Sequence, residues 1–89
     1  MKQTMWPVDV ISMCSAEGEI RPLRLRVIDE EQAMQRVDIE AVIKDWEIPY
    51  AGVEAHVFRC RARSAGRELM LELKYTFRSH TWCLLRRIY

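Results

Sequence analysis

Metal-binding and disulfide signatures are absent from this 89-residue sequence. Its three cysteines, Cys14, Cys60 and Cys83, are an odd number at wide spacings, and no two of them form a C-x₂-C pair. Zinc sites and small disulfide frameworks are built from cysteines at short, paired spacings. We therefore expect three buried or half-buried free thiols in a reducing cytoplasm, with no metal ion and no other cofactor.

Glycine and long apolar runs are also scarce. The three glycines stand singly at predicted turns, so none belongs to a glycine-rich phosphate-binding loop. No apolar run approaches the ~18–20 residues that span a bilayer as a helix. The apolar fraction of 49% and the charged fraction of 30% are typical of a soluble globular chain. We expect residues 1–89 to form a single domain.

No pair of side chains is placed for catalysis. His56 and Cys60 share a predicted strand face but are four residues apart, which is ~13 Å at ~3.3 Å per residue and beyond contact. No serine lies in a G-x-S-x-G motif. Glu68 and Glu72 share a face too, but each is predicted to lie opposite an arginine. The sequence therefore predicts a protein that is not an enzyme.

Alternation of apolar and polar residues dominates the chain and predicts β-strands. The clearest example is Arg67–Phe77, in which three leucines, Tyr75 and Phe77 alternate with polar residues and one methionine. Pro22 has no N–H, so the second strand is expected to be an edge there or bulged. The predicted strands are Trp6–Cys14, Glu19–Ile28, Gln35–Lys44, Val53–Arg63, Arg67–Phe77 and Thr81–Tyr89.

Two segments depart from this pattern. Residues 29–44 begin with good helix formers and have apolar residues near helical spacing, so a helix is the alternative there. The alternation across Val37–Glu40 favours a strand. Residues 45–52 are expected to be irregular, because Pro49 forces the residue before it away from helical geometry and Gly52 suits a turn.

The charge pattern fixes the register of one predicted hairpin. If Ala65-Gly66 is a two-residue turn, apolar residues oppose apolar residues, and Arg59 and Arg63 oppose Glu72 and Glu68. A slip of one residue would mix the two faces. Continued into the last strand, the same register predicts the pairs Phe77 with Trp82, Tyr75 with Leu84, and Glu72 with Arg87.

A sheet of this size with no helix to cover it must roll up. We therefore expect an all-β fold, a small closed or partly open barrel of about six antiparallel strands in the SH3-like or OB-like class. The expected core aromatic residues are Trp6, Phe58, Phe77 and Trp82.

Charge is unevenly distributed along the chain. Residues 1–55 carry six Lys/Arg and eleven Asp/Glu, whereas residues 56–89 carry eight and two. Cross-strand ion pairs account for much of this asymmetry, and a few basic residues remain without an assigned partner. The candidate binding surface comprises Arg61, Arg67, Arg78, Arg86 and Tyr89, together with Trp46 and Tyr50 in the irregular segment.

Three segments resemble an uncharacterised group of short bacterial proteins. They are residues 6–11 (WPVDVI), residues 17–24 (EGEIRPLR) and residues 72–75 (ELKY). The likeness covers most of the chain and implies a small cytoplasmic β-domain. That group has no assigned activity, so the resemblance implies no substrate.

Two functions remain open. The favoured one is a protein-interaction or self-association module that binds a protein, or its own copy, through an exposed strand edge or the segment from Trp46 to Tyr50. The alternative is a nucleic-acid-binding barrel, with arginines on phosphates and Tyr89 stacking on a base. A net charge of +1 and only three lysines argue against the second. No membrane partner is expected.

Overall fold

A computed structural model describes residues 6–28, 32–50 and 53–89, with the backbone alone at 49, 50 and 53. The described residues form strands and turns and contain no helix, hence none that could cross a bilayer. The strands are β1 Trp6–Pro7, β2 Asp9–Cys14, β3 Ile20–Ile28, β4 Met34–Tyr50, β5 Val53–Ser64, β6 Arg67–Thr76 and β7 Thr81–Arg87.

All seven strands belong to one antiparallel sheet, in the order β1-β7-β6-β5-β4-β3-β2, which rolls into an open half-barrel. The two outermost strands follow each other in the chain, separated by Val8 alone. Trp6 and Pro7 pair with β7, and Asp9 onwards pairs with β3, so the N-terminal segment contacts both edges of the sheet. The expected all-β class is confirmed, with seven strands rather than about six because the first one changes partner at Val8.

The sheet is open because β3 and β4 diverge. They pair only from Arg24 opposite Asp38 to Ile28 opposite Met34. Before Arg24, β3 pairs with β2 alone, and after Asp38, β4 pairs with β5 alone. Pro22 lies in the part of β3 that has no partner on the β4 side, beside a bulge in the β2–β3 pairing, as its missing N–H predicts.

Strand β4 is longer than the sequence suggests. It is extended to Tyr50, so residues 45–50 are not irregular, and the helical alternative for residues 29–44 is wrong at the described positions. Pro49 is accommodated because β4 is an edge strand there, where no neighbour on that side needs an N–H donor.

The predicted β5–β6 register is confirmed at every position, from Ser64 opposite Arg67 to Ala55 opposite Thr76. The register predicted for the last hairpin is wrong. Tyr75 lies opposite Trp82 rather than Leu84. A bulge in β7 then shifts the pairing by one residue, and Arg86 rather than Arg87 lies opposite Glu72.

The core lies on the concave face of the half-barrel. Of the four expected core aromatics, Phe58 and Trp82 are buried, whereas Trp6 and Phe77 are 50% and 37% exposed. Trp6 lies on the two-residue strand that joins the sheet edges, and Phe77 falls in the turn after β6, so each has neighbours on one side only. The buried cluster is Leu25, Val37, Phe58, Cys60, Ala62, Leu69, Leu71, Leu73 and Trp82.

Candidate binding surfaces

Two arginines of the predicted binding surface are engaged in ion pairs. Arg61 Nε lies 3.6 Å from Glu40 Oε1, and Arg86 Nε lies 3.0 Å from Glu72 Oε1. The prediction that Arg61 and Arg86 lack partners is therefore wrong. Arg61 reaches Glu40 on the neighbouring strand β4, and the register of β7 places Arg86 rather than Arg87 opposite Glu72.

Glu72 is the centre of the strongest of these clusters. Its side chain is 7% exposed and accepts hydrogen bonds from Arg59 Nε at 2.9 Å and Arg86 Nε at 3.0 Å. Burial alone would raise the pKa of Glu72, but the hydrogen bonds from Arg86 and Arg59 outweigh it and hold the pKa below its ordinary value. A buried carboxylate with two guanidinium partners has a structural role and occupies hydrogen-bond donors of both arginines.

The front half of the sheet carries a similar ladder. Arg24 and Arg36 both donate to Asp38 Oδ1, at 2.9 and 3.2 Å, and the pKa of Asp38 is lowered chiefly by the hydrogen bond from Arg36. Arg26 Nη2 pairs with Asp9 Oδ2 at 3.1 Å across the β2–β3 pairing. Arg24, Arg26 and Arg36 thus have carboxylate partners within the sheet.

The remaining members of the predicted surface do not form one patch. Arg67 begins β6 and Arg78 follows its end, so they are separated by the length of that strand, about 30 Å at ~3.3 Å per residue. The backbone of Tyr89 pairs with Met70, which places it near the Arg67 end. The structure therefore does not bring Arg78 together with Arg67 and Tyr89.

Trp46 lies in the regular part of β4, opposite Val57. Its half-buried ring has Lys44 Nζ at 5.8 Å and Arg59 Cζ at 5.7 Å from its centroid. These distances allow cation–π contacts, which fix the ring on one face of the strand. Tyr50, the other aromatic residue of this candidate, pairs through its backbone with Val53, and its side chain lies outside the described part of the chain.

The segment Lys44–Tyr50, which we call the β4 edge, pairs continuously with β5 on one side. No described strand pairs with it on the other side, because β3 leaves β4 at Asp38. Two register shifts with β5 precede it, between Ile39 and Lys44. The β4 edge is therefore a regular, unpaired strand edge, the geometry that accepts an added strand.

A second concave feature, the mouth cleft, lies at the end of the half-barrel where residues 6–9 join β7 and β3. It has a volume of about 890 Å³. Leu69 and Leu71 form part of its apolar floor, and the exposed side chains of Ile28 and Met34 form part of its rim. The sequence did not indicate this cleft, because it depends on which strands become neighbours at the closed end.

The described thiols and histidines do not form a catalytic pair. Burial raises the pKa of the Cys60 thiol to about 12, so it is not a thiolate near neutral pH. Burial also raises the pKa of the half-buried Cys83. The expectation that all three thiols are buried or half-buried is wrong for Cys14, which is exposed on the edge strand β2. His56 lies opposite Tyr75 as predicted, stacks on Phe58, and is hydrogen-bonded through Nε2 to Asp45 Oδ1 at 2.7 Å. In the described ranges, no three His, Cys, Asp or Glu side chains are grouped to hold a metal ion.

Comparison with protein-family models, curated proteins and solved structures finds no match to this chain. The resemblance to a group of short bacterial proteins therefore stays a prediction. The fold and the geometry of its surfaces carry the functional argument.

Proposed function

We propose that this protein is a non-catalytic, cytoplasmic interaction module that binds an extended segment of another protein by strand addition at the β4 edge. The observation that supports the proposal is the unpaired side of Lys44–Tyr50, where no described strand pairs with the main-chain groups and only Pro49 lacks an N–H. Each main-chain hydrogen bond formed by an added strand contributes roughly 0.5–1.5 kcal/mol, and side chains on alternate positions supply specificity.

The side chains of the β4 edge favour a different chain over a second copy. In an antiparallel pair, a residue whose N–H and C=O point toward the other strand lies opposite a residue that does the same. These residues alternate along a strand, so when two copies of one strand pair, the numbers of any two opposed residues must add to an even sum. A register centred on any charged residue of the edge opposes that residue to itself, and one centred on Trp46 opposes Asp45 to Glu47. One centred on Ile48 opposes Glu47 to Pro49, which has no N–H to donate. Like charges directly opposite each other are destabilising.

The same side chains define the chemistry of the partner. Asp45 and Glu47 alternate with Lys44 and Trp46, so one face of the edge is acidic and the other presents an aromatic ring with a cation. Asp45 is 50% exposed although it is bonded to His56, and Glu47 is also exposed. The best complement is an extended segment with basic residues at alternate positions.

A pull-down with light scattering tests this proposal. Tagged protein is expected to be a monomer and to retain a partner from a lysate of its source organism. Glu47→Arg reverses an exposed charge on the edge and should abolish retention, whereas Glu17→Arg, at an exposed turn position, should leave it unchanged. Equal retention by Glu47→Arg, or an empty pull-down, would overturn the proposal, and a stable dimer would replace the foreign partner with a second copy.

The nucleic-acid alternative is less favoured, because Arg61 and Arg86 already have carboxylate partners. Its test is binding of single-stranded DNA at ~50 mM salt, where phosphate contacts are strongest. We expect no binding to the wild-type protein. Binding that Arg61→Ala with Arg86→Ala removes would restore this alternative.

A further inference from the structure

The mouth cleft contains two arginines on the concave side of the sheet. Arg87 lies directly opposite Leu71, and directly opposed residues share a face, so Arg87 lies on the face of the buried leucines. Arg67 shares that face through the alternation Arg67, Leu69, Leu71 along β6. Both arginines are exposed and line the cleft.

These two arginines differ from the outward-facing arginines described above because neither has a carboxylate partner among the described residues. The outward-facing arginines of β3, β5 and β7 that were described above are each paired with Asp or Glu. No ion pair joins Arg67 or Arg87 to any described residue. Asp9 is the one acidic side chain among the described lining residues, and Arg26 binds it at 3.1 Å.

The rest of the cleft is apolar. Leu69 and Leu71 are at most 8% exposed in its floor, whereas Trp6, Ile28 and Met34 are half-exposed or more at its rim. A volume of about 890 Å³ lies within the range of small-molecule sites, ~300–1,000 Å³. The cleft therefore combines an apolar floor with unneutralised positive charge at its opening.

We propose that the mouth cleft binds a straight-chain fatty carboxylate, with the hydrocarbon on the leucine floor and the carboxylate on the guanidinium group of Arg67 or of Arg87 at its opening. A planar carboxylate accepts paired N–H groups from arginine, so the headgroup matches the fork geometry of these side chains. The chain covers apolar rim that is otherwise in contact with water. This site lies at the opposite end of β4 from the β4 edge, so its occupancy is independent of strand addition there.

Decanoate is a suitable probe, and calorimetry and NMR spectroscopy are the measurements. Decanoate is expected to bind with one-to-one stoichiometry and to shift the indole resonance of Trp6 in the cleft but not that of Trp46. Arg67→Gln with Arg87→Gln should weaken binding at least about tenfold, the loss expected from a charged hydrogen bond. Decanol has the same chain without the charge and should bind the wild-type and double-variant proteins equally.

Arg78→Gln is the matched control, because Arg78 is an exposed arginine outside the cleft. It should leave decanoate affinity within about twofold of the wild type. Thermal melts of the three proteins establish that the substitutions of exposed residues leave the fold intact. No decanoate binding, equal weakening by Arg78→Gln, unchanged affinity in the double variant, or an unmoved Trp6 resonance would each overturn the proposal.

Discussion

At the scale of single residues, Glu72 shows how this protein uses its charge. A carboxylate that is 7% exposed would be unfavourable alone, and two arginines from neighbouring strands compensate for its burial. Because Arg59 is on β5 and Arg86 on β7, the cluster joins three consecutive strands on the convex face. The charge asymmetry between the two halves of the chain is largely explained by such ladders.

We predict that Glu72→Gln lowers the free energy of unfolding by about 2 kcal/mol at neutral pH, since two charged hydrogen bonds lose their acceptor charge. Urea denaturation followed by circular dichroism measures the loss. Glu68→Gln is the control: Glu68 is exposed and lies opposite Arg63, whose closest carboxylate is Glu40 at 2.8 Å, so the expected change is within about 0.5 kcal/mol. Equal losses from both substitutions would show that the Glu72 cluster adds no stability.

The lowered pKa of Glu72 gives this stabilisation a pH dependence. A carboxyl group whose pKa is lower in the folded state stabilises the fold above its unfolded pKa of ~4.3, and this contribution is lost as the pH falls through the folded pKa. The difference in unfolding free energy between wild-type protein and Glu72→Gln should therefore be full above about pH 5 and shrink at lower pH. Melts between pH 2 and pH 7 would measure it, and a constant difference would contradict the assignment.

At the scale of elements, the β5–β6 turn explains why one hairpin was predictable. Ala65 and Gly66 both have positive φ, of 52° and 77°, as a two-residue turn matched to strand twist requires. The turn length and the alternation on both strands agree on one register, which the structure confirms. In the last strand, Leu84-Leu85 and Arg86-Arg87 are pairs of like residues, so apolar and polar residues do not alternate there. The sequence therefore did not indicate the bulge that places Arg87 on the concave face.

We predict that Ala65→Gly raises the unfolding free energy by roughly 0.5–1 kcal/mol, because alanine is strained at positive φ. Gly66→Ala should lower it by a similar amount. A Cβ at Gly66 would meet no atom within 4 Å, so that effect is purely one of backbone conformation. Thermal melts of both variants check the signs, and a loss of stability in Ala65→Gly would contradict the backbone explanation.

At the scale of the whole molecule, the half-barrel is joined at one end and open along the β3–β4 divergence. β5 has a neighbour on each side from Ala55 to Arg63, whereas β1 contributes two residues of pairing to β7. Local opening is easiest where few contacts hold a segment. The molecule should therefore open at β1 before its central strands separate.

Native-state hydrogen exchange tests this order. Amides of β5 and β6 are expected to exchange slowest, near the global unfolding free energy, and those of β1 with the start of β2 fastest among the strands. Since Trp6 and Val8 line the mouth cleft, decanoate should slow exchange at β1 preferentially if it binds there. Uniform protection across all seven strands would contradict a weak joint at β1.

The sequence by itself determined the strands and their local pairing, because an alternation of period two and a two-residue turn specify contacts between neighbours in the chain. Leu69 opposite Ala62 and Glu72 opposite Arg59 follow from that information alone. Only the tertiary structure decided where the sheet ends. Sheet twist and contacts between residues distant in sequence determine where β4 diverges from β3. They also determine that residues 6–9 pair with two different strands. For that reason the β4 edge and the mouth cleft, the two surfaces that carry our proposals, arise from the fold as a whole.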